Sequence, residues 1–343
     1  MNRVLITGGA GFIGTNTADH LLREGRRVRI VDDLSRPGVE RNLTWLEVEH
    51  GSALEVEVAD ISDRPVIQRA VRGVSAVFHF AAQVAVTSSL VDPMRDAAVN
   101  IRGTLHLLEA VRARPRPPAV VFTSTNKVYG SLPDVELLES EQRYSPADSA
   151  IEACGIGEAR PLEFCTPYGC SKGAADQYVL DYAHSFGVPS VVFRMSCIYG
   201  PHQLGTEDQG WVAHFLISAV EGRPIVIYGD GKQVRDVLHV EDLVEALTIG
   251  CDRAPELAGR AFNIGGGPAN TISLIELVAM ITDLRGEQPE VRLRPWRQGD
   301  QRYYVSDPRA FKRATGWRPV VSPSQGVAAL HDRLVAERDQ VAA

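Results

Sequence analysis

Tyr168 and Lys172 stand four residues apart in Tyr168-Gly-Cys-Ser-Lys172, a short way after the hydroxyl pair Ser124-Thr125. On a helix, residues four apart share a face. An ammonium beside a phenol would draw the phenol's pKa towards neutrality and make it a proton acceptor. Such a base is useful when a partner removes hydride, so the pairing reads as nicotinamide-assisted oxidation of an alcohol. The amino terminus supplies a matching signal: Gly9-x-Gly11-x-x-Gly14 follows the apolar run Val4-Leu5-Ile6 and opens a helical stretch. In that setting Gly8, Gly11, Phe12, Ile13 and Gly14 form a turn whose N–H groups can approach a pyrophosphate. Asp32 closes the second apolar run, where a carboxylate accepts hydrogen bonds from the adenosine ribose. Its charge would repel a 2′-phosphate, so NAD is favoured over NADP, with Asp33 and Arg36 close by. Asp60-Ile61, after the third run, flank the adenine, or Asp60 is a solvated carboxylate. Ala81 and Ser124, after the fourth run and in the fifth, complete the expected cofactor contacts.

These residues need a scaffold that gathers strand ends. Short apolar runs recur at Val4–Ile6, Val28–Val31, Val56–Val58, Ala76–His79, Val120–Phe122 and Val191–Phe193, separated by helical segments. This alternation argues for a Rossmann-type α/β fold, a doubly wound parallel sheet with helices on both faces. The helix opened at Gly14 runs to Glu24 and is capped at Gly25. Beyond about residue 200 the pattern loosens into glycine- and proline-rich stretches with short helices such as Ser273 to Thr282, which suggests a smaller C-terminal α/β lobe for substrate. The expected division is a cofactor domain over 1–199, with contributions from about 235–265, and a substrate lobe over 200–343. Pro133 to Thr166 shows little periodicity and reads as a long functional loop.

Composition narrows the classes. With 36 basic and 43 acidic residues among 343, the net charge of −7 offers no diffuse attraction for nucleic acid or an anionic membrane. No run of 18 apolar residues occurs and the chain begins directly with strand-like residues, so a soluble cytoplasmic protein is expected. The five cysteines are odd in number and lack CxxC spacing, which points to neither a disulfide framework nor a zinc site. Neither an internal repeat nor a low-complexity tract is evident.

Taken together, Thr7-Gly-Gly-Ala-Gly-Phe-Ile-Gly14, Asn100, Ser124-Thr-Asn-Lys-Val-Tyr-Gly130 and Tyr168-x-x-x-Lys172 resemble the extended short-chain dehydrogenase/reductases that act on nucleotide sugars. Arg235-Asp-Val-Leu-His-Val-Glu-Asp242, Phe262-Asn-Ile-Gly-Gly-Gly267 and Asp300-Gln-Arg302 carry the resemblance over nearly the whole chain. It implies Tyr168 as base, Lys172 as its tuner and a ribose contact, and Thr125 as hydrogen-bond partner of the reacting sugar oxygen. Asn100 would sit below the nicotinamide, or fix two backbone segments. Arg235 and Arg302 would clamp a diphosphate, a task suited to the guanidinium fork. Gln83, Asn126, Gln203, Thr206 and Trp211, with His202 and His214, would line the sugar and base pocket. His79 reads as a core histidine.

Within that family, 4,6-dehydratases carry an Asp-Glu pair after the threonine, whereas this chain has Asn126 and Lys127, so elimination of water is not expected. Lys127 would stabilise an enolate or bind a sugar hydroxyl, or form a structural ion pair. The segments Ser124–Gly130, Pro167–Gln177 and Gln203–Trp211 resemble most the CDP-paratose 2-epimerase branch. That resemblance implies inversion at C2 of a CDP-linked (deoxy)hexose through a transient keto-sugar, with NAD as retained cofactor. A 4-epimerase of a UDP- or CDP-hexose is the alternative; a non-catalytic NAD-binding sensor is the third reading. Helices near Pro93–Arg112 and Tyr168–Phe186 resemble those that pair in the family's homodimers and homotetramers.

Overall fold

In the computed structural model, which describes residues 3–297 and 299–342, each apolar run becomes a strand. The strands are β1 (Arg3–Thr7), β2 (Arg27–Asp32), β3 (Leu54–Val58), β4 (Ala76–His79), β5 (Ala119–Thr125), β6 (Leu137–Glu139), β7 (Tyr144–Pro146) and β8 (Ser190–Met195). They continue with β9 (Cys197–Tyr199), β10 (Ile225–Tyr228), β11 (Val234–His239), β12 (Arg260–Ile264), β13 (Thr271–Ser273), β14 (Val291–Arg294) and β15 (Tyr303–Tyr304). A seven-stranded sheet has the order β12-β8-β5-β4-β1-β2-β3. Its central pairs are parallel, with Ile6 opposite both Ile30 and Phe78. Helices on both faces leave these strands no solvent side, which is why they read as unbroken Val/Ile/Leu runs. Leu5, Val77, Val120, Leu107 and Val192 are all without solvent exposure. The chain leaves β1 towards β2 and β3 on one side, then returns to β4 and β5 on the other. The crevice at the carboxyl ends of β1 and β4 is therefore the topological switch point of the sheet.

Two compact units are distinguished. The first comprises Met1–Val128, Phe164–Arg194 and Val244–Phe262; the second comprises Tyr129–Glu163, Met195–Leu243 and Asn263–Ala343. In the first unit, the helix Phe12–Arg23 ends where Gly25 adopts φ 79° and donates its N–H to Leu22 O. The segment from Pro93 to Arg112 is helical throughout, but Ala98–Gly103 forms a π-helical turn around Asn100. The helix Thr166–Phe186 carries Tyr168 and Lys172 and stops at Gly187 in a left-handed conformation.

In the second unit, β11 pairs with β9 and β15 in parallel and with β13 antiparallel, and β10 pairs with β14 in parallel. Leu216, Ile225, Ile281 and Val327 are fully buried there. Ser273 and Glu276 form a capping box that opens the helix Leu274–Arg285, which runs past the Thr282 end that its periodicity suggests. The stretch expected as a long loop instead contains the antiparallel pair β6–β7 and the helix Ser149–Cys154. Strands of three residues and a helix of six are too short to leave a period in the sequence. Among the described residues, no helix is long and apolar enough to cross a membrane, and no group of His, Cys, Asp or Glu could hold a metal.

Candidate active site

The glycine turn sits at the switch point. Gly8 has φ 72°, and a Cβ there would lie 2.6 Å from Ala81 N. A Cβ on Gly14 would lie 2.2 Å from Gly8 O, so the helix Phe12–Arg23 starts directly against the loop. Gly11 caps that helix without a side chain, and the helical pattern gives the N–H groups of Phe12, Ile13 and Gly14 no intrahelical acceptor. The positive end of the helix and these donors face the crevice.

Asp32, the last residue of β2, accepts Ala10 N–H and Leu34 N–H, each at 2.9 Å, which aims its carboxylate back at the glycine turn. Burial raises its pKa, and those two backbone donors oppose the rise. Asp33 and Asp60 are both bound by Arg95, at 3.3 and 2.7 Å. Asp60 also accepts Ser62 N–H at 2.7 Å. Its pKa falls: burial pushes it up, and the bonds from Ser62 and Arg95 outweigh that. The Ile61 side chain is a core group, 4% exposed, packed where a Cβ on Gly103 would meet it at 2.8 Å.

Asn100 is buried in the π-helical turn. Its Oδ1 accepts Gln83 N–H at 2.9 Å, and its Nδ2 donates to Gln83 O at 3.1 Å and Ser171 Oγ at 2.9 Å. It thus ties the loop after β4 to the Tyr168 helix. The wider π turn, common at functional sites, brings its side chain round to both partners. Gln83 donates Nε2–H to Ala85 O at 2.9 Å, while its Oε1 is buried without a partner. His79 is 1% exposed, with Nδ1 2.7 Å from Thr7 Oγ1 and Nε2 2.9 Å from Thr104 Oγ1. Thr104 donates its own proton to Asn100 O, so His79 is the Nε2–H tautomer. Burial, then the Lys172 charge, push its pKa down to about 3, as befits a neutral core residue.

Tyr168 is 9% exposed, and Thr125 is 8% exposed at the end of β5. Its N–H donates to Ser89 Oγ at 3.1 Å. Lys172 is 4% exposed; its Nζ donates to Thr123 O at 2.7 Å and lies 4.2 Å from the centre of the Phe122 ring. Burial pushes the Tyr168 phenol up to about 12, opposed by the Thr125 hydroxyl. The ammonium is engaged by a carbonyl, and burial lowers Lys172 itself to about 7, opposed by Asp176 and Asp96. Desolvation penalises both charged forms.

Around this pair, Ser124 Oγ is buried without a partner. Asn126 Oδ1 accepts Thr125 Oγ1–H at 3.3 Å, and Lys127 N–H donates to Thr125 Oγ1 at 3.2 Å. The first unit therefore brings together Gly8, Gly11, Gly14, Asp32, Ala81, Asn100, Ser124, Thr125, Tyr168 and Lys172. A glycine cradle that any Cβ would fill, free helix-start donors, a carboxylate beside them and a partnerless buried hydroxyl fit a dinucleotide.

In the second unit, Gln203 Nε2 donates to Ile198 O at 3.1 Å and its Oε1 is buried without a partner. Thr206 exchanges backbone bonds with Gln209, and Trp211 Nε1 donates to Cys197 Sγ at 3.4 Å. Arg235 is buried and donates to the carbonyls of Val234 and Gln301. Arg302 lies against aromatic faces, 5.6 Å from the Tyr144 ring centre and 5.5 Å from that of Trp296. His202 adopts φ 65° and meets Arg333; burial lowers the pKa of His214. Sequence reasoning missed Ser89, Arg95, Asp96, Thr123 and Ser171. Only Asp96 left a signal, four residues before Asn100 on the same helical face.

A family model described as the NAD dependent epimerase/dehydratase family matches residues 4–265. The chain belongs to this family. CDP-paratose 2-epimerase of Salmonella typhi is 41% identical to this family member, with 96% of this chain and 98% of that protein aligned. UDP-glucose 4-epimerase of Mycolicibacterium smegmatis is 32% identical, with 95% and 96% aligned. Among solved structures, that of the UDP-glucose 4-epimerase of Thermus thermophilus in complex with NAD superposes with a TM-score of 0.80 at 31% identity, covering 97% of this chain and 98% of that one. This chain is thus an NAD-dependent enzyme of the epimerase type on the Rossmann-type fold expected from its sequence.

Proposed function

We propose that the enzyme inverts C2 of a CDP-linked deoxyhexose through a transient keto-sugar. The observation that carries this reading is that Tyr168 and Lys172 are both buried on one helix, with Lys172 Nζ donating to Thr123 O of β5, the strand that ends at Thr125. NAD held by Gly8, Gly11, Phe12, Ile13, Gly14, Asp32 and Ser124 supplies a reversible hydride acceptor. Thr125 orients the sugar hydroxyl, and Tyr168 Oη takes its proton and later returns it. Lys172, as an ammonium, stabilises the phenolate that proton transfer requires. Lys127 stabilises an enolate or holds a neighbouring hydroxyl. Asp33, Asp60, Ile61 and Ala81 border the adenosine side; Gln83, Asn126, Gln203, Thr206, Trp211, Arg235 and Arg302 are assigned to the nucleotide sugar.

The choice of C2 and of a cytidine nucleotide is supported by the 41% identity to CDP-paratose 2-epimerase of Salmonella typhi. A 4-epimerase of a UDP- or CDP-hexose is the second reading, favoured by the UDP-glucose 4-epimerase relatives and by the shared chemistry of Tyr168, Lys172 and Thr125. Dehydration is disfavoured by Asn126 and Lys127, and a silent sensor by retention of both Tyr168 and Lys172. Sugar panels followed by proton NMR separate these readings. Inversion at C2 of CDP-sugars alone supports the proposal, whereas inversion at C4 of UDP-glucose replaces it.

Association into a homodimer or homotetramer is supported by Val91 and Met94, which are 86% and 78% exposed, and by exposed Tyr178 and Phe186 on the Tyr168 helix. Light scattering tests it: a monomer at micromolar concentration would overturn this part. A cytoplasmic setting accords with a nucleotide-sugar substrate and five free cysteines.

A further inference from the structure

Little in its own first turn holds the start of the helix that carries Tyr168. Its cap, Cys165, makes no side-chain bond, and Pro167 has no N–H to offer. Thr166 holds φ 66°, a left-handed conformation that a β-branched residue enters only at a cost. Its Oγ1 accepts Gly169 N–H at 3.4 Å, a long bond. The first N–H groups of any helix lack intrahelical acceptors, and a buried one left unpaired is unfavourable. Tyr168 N–H is such a group, and its acceptor comes from a different element.

Ser89 supplies it. This serine has no solvent exposure and sits on the helix Val86–Val91, which packs against the Tyr168 helix. Its Oγ accepts Tyr168 N–H at 3.1 Å and donates to Val86 O at 2.7 Å. The hydroxyl is therefore engaged in both directions, and its orientation is fixed. On the other side of Tyr168, Ser171 Oγ accepts Asn100 Nδ2–H at 2.9 Å and donates to Tyr168 O at 3.2 Å. Tyr168 is thus held at its N–H and at its C=O by two serine hydroxyls, each anchored to a segment outside its own helix. A tyrosine has only two side-chain torsions, so its hydroxyl follows its backbone. Displacing a reacting group by about 1 Å can cost roughly 10²-fold in rate. We infer that Ser89 is a positioning residue of the reaction: it caps the strained first turn of the helix from outside and so fixes where the Tyr168 hydroxyl stands. The inference rests on the proposed role of Tyr168 as base.

Ser89→Ala removes the acceptor and little volume. In the NAD-loaded enzyme, on whichever sugar is turned over, it should lower kcat by about 10–100-fold and leave KM within about threefold. In a Tyr168→Phe background the same substitution should change kcat by less than about threefold, because the hydroxyl that Ser89 positions is gone. Equal factors in the two backgrounds would mark a merely structural role and overturn the inference. A second arm needs no sugar. The chain has nine tyrosines, so nitrogen-15-labelled tyrosine resolves the Tyr168 amide by NMR as the signal missing from Tyr168→Phe. Ser89→Ala should speed hydrogen exchange at that amide by about tenfold or more and leave the other tyrosine amides within about twofold. An unmoved Tyr168 amide, or a uniform acceleration of all of them, overturns the inference. If the alanine variant does not fold, Ser89→Cys, similar in size and a weaker acceptor, is read by the same criteria. An enzyme that epimerises no sugar would count against the proposed function, and the exchange arm would still decide whether Ser89 holds Tyr168.

Discussion

Lys172→Met should make the protein more stable while abolishing turnover. In the fold, burial pushes the Lys172 ammonium from its ordinary 10.5 down to about 7, whereas the unfolded chain retains the ordinary value. Between those two values the unfolded state binds more protons. Wild-type stability therefore rises with pH across that window, by up to about 1.4 kcal/mol per unit, and below it the full penalty of about 5 kcal/mol stands. Methionine keeps a similar volume against the Phe122 ring and carries no charge. It gives up the bond from Nζ to Thr123 O at 2.7 Å, and losing a partner from a buried carbonyl costs about 1–3 kcal/mol. The net expectation is a gain of about 2–4 kcal/mol near neutral pH. That gain should shrink steadily and vanish by about pH 10. Urea unfolding of both proteins at a series of pH values, followed by circular dichroism, measures it. A variant less stable than wild type near neutral pH would refute the reasoning, as would a difference that does not change with pH.

Other outcomes follow from the same geometry. Tyr168→Phe should keep the fold and bound NAD but lose roughly 10²–10⁴-fold in kcat; a variant within tenfold of wild type would remove Tyr168 as the base. Lys127→Ala should abolish turnover with NAD still bound, as read by nicotinamide content after denaturation; near-normal turnover would end its catalytic role. Gly14→Ala places a Cβ 2.2 Å from Gly8 O, a backbone atom that cannot swing aside. It should cost about 1–3 kcal/mol in a thermal or urea unfolding series and strip the purified protein of NAD.

What the sequence discloses depends on range. Apolar runs buried on both faces announce the strands, because burial alone selects their residues, and Gly9-x-Gly11-x-x-Gly14 announces its turn because few other residues fit it. Tyr168 and Lys172 are legible as a pair since helical spacing is local. Contacts between distant segments leave no such mark. Arg95 binding both Asp33 and Asp60, and Thr123 O capturing Lys172, join segments tens of residues apart. Burial of Tyr168 and Lys172, which sets the direction of both shifts, escapes the sequence for the same reason. Arg302 packs against Tyr144 and Trp296, and nothing local in the sequence announces the Tyr144 contact, because it joins distant segments.

The most direct measurement is proton NMR of CDP-paratose incubated in deuterated water with the purified protein and no added nicotinamide. The expected result is inversion at C2 with many turnovers per protein, as a retained and regenerated cofactor requires; deuterium appearing at C2 would identify enolisation as the route, and its absence a hydride returned to the opposite face. A spectrum in which C2 keeps its configuration, or in which conversion stops unless NAD is supplied in proportion to sugar, would contradict the account.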